Sequence, residues 1–166
     1  MRSFGDALFV SEENRVDIYR IAFIGHREIH GQYHLEDELE QIITEYLRAK
    51  EYVELYVGRN GDFDISVASA IKRAQKSFGH HNSSLILLQP YPMKDDLYYE
   101  KFYDEILYPV DRKTHPKGAI TKRNRWMIDH ADLLIAYVEE GREGGALTAL
   151  DFAKKQGLKT INLATK

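Results

Sequence analysis

Arg123-Asn124 and the run Gly141-Arg142-Glu143-Gly144-Gly145, leading into Ala146, Leu147 and Thr148, are the residues best suited to chemistry. A guanidinium grips phosphate through a planar fork of N–H donors. Consecutive glycines let a backbone approach an anion, and the free N–H groups of a first helical turn bind it. Two other glycine turns carry similar residue types. One is Gly25-His26-Arg27, and the other is Gly58-Arg59-Asn60-Gly61 with Asp62 and Asp64 behind it. Arg27, Arg59 and Arg123 are candidate phosphate holders, and Asp64 is a candidate to position its loop or a ribose hydroxyl. The local group Lys117, Lys122, Arg123 and Arg125 has charge for one or two phosphates, not for a long polyanion.

The chain has no cysteine, which removes disulfides, thiolate zinc sites and cysteine nucleophiles. His26, His30 and His34 fall four apart, but no acid-rich cluster flanks them, so they read as solvated histidines and no metal is expected. After Gly25 the next glycine is Gly31, so the Gly-x-Gly-x-x-Gly fingerprint of dinucleotide binding is absent.

The elements that must position these turns alternate along the chain. Arg20 to Gly25 is a short apolar run read as the first strand. Leu35, Leu39, Ile42, Ile43, Tyr46 and Leu47 then recur at helical spacing. Tyr52 to Val57 is a second strand. The face Ile65, Ala68, Ile71, Ala74, Gln75 and Phe78 is a second helix, with Asp62 or Asp64 as a candidate cap and Gly79 as its stop. Ser84 to Leu88 is a third strand. Residues 90–119 then form a proline-rich, tyrosine-rich interruption that reads as a lid-like insertion, helical in part between Lys94 and Leu107. Thr121 suits the N-cap of a helix ending near His130, with Trp126 and Met127 in its core face. Leu133 to Val138 is a strand, Ala146 to Gln156 a helix, and Lys159 to Leu163 a last strand.

This order predicts one α/β domain over residues 1–166, Rossmann-like and doubly wound, with a mostly parallel five-stranded sheet and helices on both faces. Residues 1–18 show no firm period and read as an arm. In such a sheet, helix N-termini and strand C-termini share one edge. Gly25, His26, Arg27, Gly58, Gly61, Arg123, Gly144 and Gly145 should therefore meet at one crevice fit for a phosphate-bearing ligand.

With 43% hydrophobic and 30% charged residues among 166, the composition is that of an ordinary globular protein. No apolar run approaches the ~18 residues of a membrane span. The start of the chain lacks a signal-peptide pattern, so a cytoplasmic location is the expectation. A net charge of −3 argues against a nucleic-acid partner, since such binding rests on many cationic contacts.

Phe23-Ile-Gly-His-Arg-Glu28, Gly58-Arg-Asn-Gly-Asp-Phe-Asp64, Gln89-Pro-Tyr91, Arg123-Asn-Arg-Trp-Met-Ile-Asp129 and Gly144-Gly-Ala146, in this order, resemble the SLOG superfamily and its YpsA-like branch. The resemblance spans most of residues 20–164. It implies a Rossmann-like fold that binds nucleotides or nucleotide-derived molecules at the glycine turns, with no separate cofactor, and it makes a homo-oligomer plausible. A neighbouring branch, the Lonely Guy phosphoribohydrolases, adds an enzymatic option. Arg123 fits that branch's arginine and Met127 its methionine, while Asn124 replaces a lysine. In Gly144-Gly-Ala-Leu-Thr-Ala-Leu-Asp151, Leu147 replaces a glycine and Asp151 stands where that branch has glutamate. The resemblance thus makes Arg123 with Asp151, or with Glu143, a candidate pair for cleaving a nucleotide N-glycosidic bond, with cations on the phosphate and a carboxylate beside the developing oxocarbenium ion. The DNA-processing members carry a Ser-Gly-rich motif after strand two, where this chain has Gly-Arg-Asn-Gly.

Overall fold

Along β1 (Ile18–Gly25) successive side chains point to opposite faces. Ile21 and Phe23 enter one apolar cluster, Ala22 and Ile24 another, and none of the four is more than 6% exposed. A strand buried on both faces belongs inside a parallel sheet. The computed structural model, which describes residues 15–59 and 61–165, places it there. The other strands are β2 (Tyr52–Val57), β3 (Ser83–Leu88), β4 (Glu105–Leu107), β5 (Leu133–Tyr137) and β6 (Lys159–Asn162). They lie in the order β4-β3-β2-β1-β5-β6, and every neighbouring pair is parallel.

Helices α1 (Leu35–Ala49) and α2 (Asp62–Phe78) cover one face. Their Leu39, Ile43, Leu47, Phe63, Val67 and Ile71 pack into the Phe23 cluster. The short α3 (Asp96–Tyr99) continues this side, with Tyr99 against the same cluster. Helices α4 (Pro116–Asp129) and α5 (Gly145–Lys155) cover the other face, through Met127, Ile128, Ala149, Leu150 and Ala153. Each large side chain so buried contributes roughly 1.5–3 kcal/mol. The chain builds outward from β1 through β2, β3 and β4, then returns to lay β5 on the other side of β1. That reversal opens a crevice at the strand ends between β1 and β5.

The α/β architecture agrees with the expectation, with two differences in the sheet. Among the described residues it has six strands rather than five, and all are parallel. The extra strand, β4, lies within the 90–119 segment on the sheet edge. It is secured by Asp104, whose N–H donates to the Leu85 carbonyl (2.9 Å) and whose Oδ2 accepts from the Leu85 N–H (2.6 Å). Of the stretch Lys94 to Leu107, only α3 is helical.

The helix starts also differ. Helix α4 begins at Pro116, not after Thr121. Proline presets the first helical φ, and His115 Nδ1 accepts from the Lys117 N–H (3.2 Å), so the cap lies a turn earlier. Thr121 is an interior residue of that helix. Helix α2 starts at Gly61 without a side-chain cap, because Asp62 is engaged elsewhere. Met127 is buried, whereas Trp126 is only partly so, lying between Tyr56 and His130. The arm expected over residues 1–18 falls outside the described residues as far as residue 14, and Ile18 already belongs to β1. No helix among the described residues is long and apolar enough to cross a membrane.

Candidate functional site

The turns after β1, β2 and β5 meet around a cleft of about 330 Å³ at the strand ends. Glycine is what lets them meet. A Cβ on Gly25 would stand 2.4 Å from the Phe63 ring, so only glycine lets α2 close against the end of β1. A Cβ on Gly61 would stand 2.4 Å from Arg27 Cα, so the first two turns touch backbone to backbone. They are also cross-bonded: the Asp62 N–H donates to the Arg27 carbonyl (2.7 Å), and Asp62 Oδ2 accepts from the Ile29 N–H (3.0 Å). The start of α2 is therefore engaged by the first turn and carries two acids, Asp62 and Asp64. It makes a poor anion seat.

The third turn differs. Gly141 (φ 75°) and Gly144 (φ 137°) adopt the left-handed region that favours glycine. Helix α5 then starts with no side-chain cap. Gly144, Gly145 and Ala146 line the cleft, and a Cβ on either glycine would meet nothing within 4 Å. The partial positive charge of this helix start faces open space.

Arg123 and Asn124 of α4 close the floor. Both are buried, at 5% and 7% exposure. Arg123 donates through Nε (3.3 Å) and Nη2 (3.1 Å) to Asn124 Oδ1, and through Nη1 weakly to the Leu88 carbonyl (3.5 Å). Burial lowers the Arg123 pKa, the nearby Asp64 carboxylate opposes that shift, and Arg27 adds to it. An arginine stays protonated under such shifts, so the floor holds a desolvated cation beside an acid.

The rim holds Arg27, Arg142 and Glu143. Arg142 Nη1 donates to the Glu28 carbonyl (2.7 Å) and to Glu139 Oε1 (3.2 Å), joining the first turn to the third. His26 is not solvated but buried, at 6% exposure, and its Nε2 accepts from the Glu139 N–H (2.9 Å). The outer histidines His30 and His34 are exposed. No group of three or more His, Cys, Asp or Glu among the described residues is arranged to hold a metal ion.

Gly25, His26, Arg27, Gly58, Gly61 and Asp64 are thus brought together with Arg123, Asn124, Gly144, Gly145 and Ala146. Others are not. Arg59 turns away from the cleft: its guanidinium bonds Asp95 (2.7 and 3.1 Å) and lies 4.1 Å over the Tyr99 ring. The acids and aromatics around α3 capture it. Asp151 is exposed and does not line the cleft, because it sits about 10 Å along α5 from Gly144 at 1.5 Å per residue. Thr148 also stays outside, its hydroxyl donating to the Gly144 carbonyl (3.1 Å). Asn60 lies outside the described residues. No residue of 90–119 lines the cleft, so the insertion does not cover it.

The fold is similar to that of DNA processing protein A from Helicobacter pylori, a structure solved for its mode of binding single-stranded DNA. The TM-score is 0.59 at 18% identity, over 86% of this chain and 63% of that one. The likeness is one of fold, and the chain spans somewhat under two thirds of that protein. No family model and no curated protein matches the sequence.

Arg142 belongs to the glycine run singled out in the sequence, but not to the arginines expected to hold phosphate, although it reaches the rim. Its signal was present, an arginine inside a turn of three glycines, but its reach across to Glu28 depends on how β1 and β5 pair.

Proposed function

We propose that the cleft binds a phosphate-bearing small molecule, a nucleotide or a nucleotide derivative. The observation that carries this reading is the open, uncapped start of α5 beside two rim arginines, above a closed polar floor. Phosphate sits at the α5 turn, where N–H groups and the helix dipole favour it, with Arg27 and Arg142 beside it. A cleft of about 330 Å³ is at the small end of ligand pockets, which suits a mononucleotide better than a dinucleotide. The missing diphosphate fingerprint agrees. The likeness in fold to DNA processing protein A supports the SLOG-type assignment made from the motifs, and the YpsA-like branch remains part of this proposal.

A thermal-shift panel of nucleoside monophosphates, cyclic nucleotides and ADP-ribose compounds tests the reading. Ligand at 100 times its Kd stabilises by roughly 2.7 kcal/mol, about 5–10 °C in a domain of this size. A flat response across the panel would remove it.

The likeness to a protein that binds single-stranded DNA favours a second reading, in which a single strand occupies the same cleft. It predicts affinity that falls steeply between 50 and 200 mM salt, by about 300-fold or more where six or more phosphates are contacted. Anisotropy of a labelled oligonucleotide measures this, and the net charge of −3 counts against it. The hydrolase reading loses Asp151 to its position. Glu143 at the rim is the carboxylate left for it, and release of ribose 5-phosphate from a monophosphate is its test.

A further inference from the structure

Gly58 leaves room for two unlike groups on the cleft floor. A Cβ built on it would stand 2.9 Å from Arg123 Nη1 and 3.1 Å from Asp64 Oδ2, tighter than ordinary contacts. Any side chain at position 58 would crowd both groups. With glycine there, a guanidinium nitrogen and a carboxylate oxygen both border the space over position 58, and all three residues line the cleft. Asn124 Oδ1 holds the Nε and Nη2 side of the guanidinium and so fixes its plane, while Nη1 reaches the Leu88 carbonyl at 3.5 Å.

The pair is chemically unlike the rim. A phosphate set against it would meet the Asp64 carboxylate at close range, a like-charge contact that a site reading phosphate would avoid. A hydroxyl meets no such objection, because it accepts from Arg123 and donates to Asp64 at once. A carboxylate has acceptor capacity for several donors, so Asp64 takes this bond in addition to the interaction it already has.

The geometry points to a ligand that enters with its phosphate outward on α5 and seats a sugar hydroxyl inward, between Arg123 and Asp64 over Gly58. This rests on the proposed phosphate-bearing ligand and narrows its class to hydroxyl-bearing sugar phosphates, ribonucleotides rather than deoxyribonucleotides. A site built to bond a hydroxyl discriminates strongly against an analogue lacking it.

Calorimetric titration with each common ribonucleoside 5′-monophosphate, its 2′-deoxy and 3′-deoxy counterparts, and ribose 5-phosphate is the test. At least one ribonucleotide should bind tenfold or more tightly than one of its deoxy forms. Asp64→Asn, nearly isosteric and checked for an unchanged melting profile, should shrink that ratio. Gly58→Ala should weaken every hydroxyl-bearing ligand. Equal affinity for ribo and deoxy forms would overturn the inference and leave the phosphate site standing. Binding of none of the compounds would overturn both.

Discussion

His26 accepts the Glu139 amide proton at Nε2, so its ring carries hydrogen on Nδ1 and is neutral. Burial, reinforced by the Arg142 cation, lowers its pKa from the ordinary value near 6.5. Between the lower folded value and the unfolded one, the unfolded chain binds more protons, so stability rises with pH there. The contribution is complete above about pH 6.5 and is lost as acid protonates the ring. The denaturant midpoint should therefore fall from pH 7 to pH 5, with a shallower fall in His26→Gln. An unaltered slope in that variant would assign the acid sensitivity to other groups. Residue types alone did not disclose this role. His26 reads equally as ligand contact or as solvated ring until the β1–β5 pairing brings Glu139 beside it. Arg59 shows the same limit: its motif neighbours point to the cleft, but Asp95 and Tyr99, far along the chain, decide where it goes.

Helix α5 is the element on which the proposed anion site depends, and its start can be tested apart from the fold. Gly145 is exposed, lies outside the left-handed region and has room for a side chain. Gly145→Asp places a negative charge at an N-terminus, which stabilises a helix by roughly 0.3–1 kcal/mol. The same carboxylate occupies the proposed anion seat. The variant should therefore melt no lower than the parent while losing at least tenfold in affinity for the best monophosphate of the panel. Retained affinity would move the phosphate away from α5. Elements with strong periodicity were legible in sequence: Tyr52 to Val57 is the strand found, and Gly79 does end α2. Weakly patterned ones were not. Three-residue β4 has no alternation to read, and α4 hid its start because His115-Pro116 competes with the more obvious Thr121.

At the scale of the whole molecule, two apolar clusters share one sheet, so neither face can be lost without exposing the strands between them. Trp126, the one tryptophan, packs with Tyr56 on the α4–α5 side and reports that face alone. Its fluorescence and the far-ultraviolet circular dichroism should follow the same denaturant curve, as a two-state domain requires. An earlier tryptophan transition would mean that the α4–α5 layer comes away first. The doubly wound architecture was the most legible feature, since alternating helix and strand patterns leave few topologies that bury both faces.

The central pairing also orders events during synthesis. Strand β1 meets its far neighbour across 112 residues of chain, the separation at which the Arg20 amide donates to Asp132. β2 and β3 can dock as they leave the ribosome, while one flank of β1 waits bare until β5 is translated. A chain stalled just before that point would hold an incomplete sheet with a sticky inner edge, which makes the interval between those two strands the time when this protein most needs a chaperone.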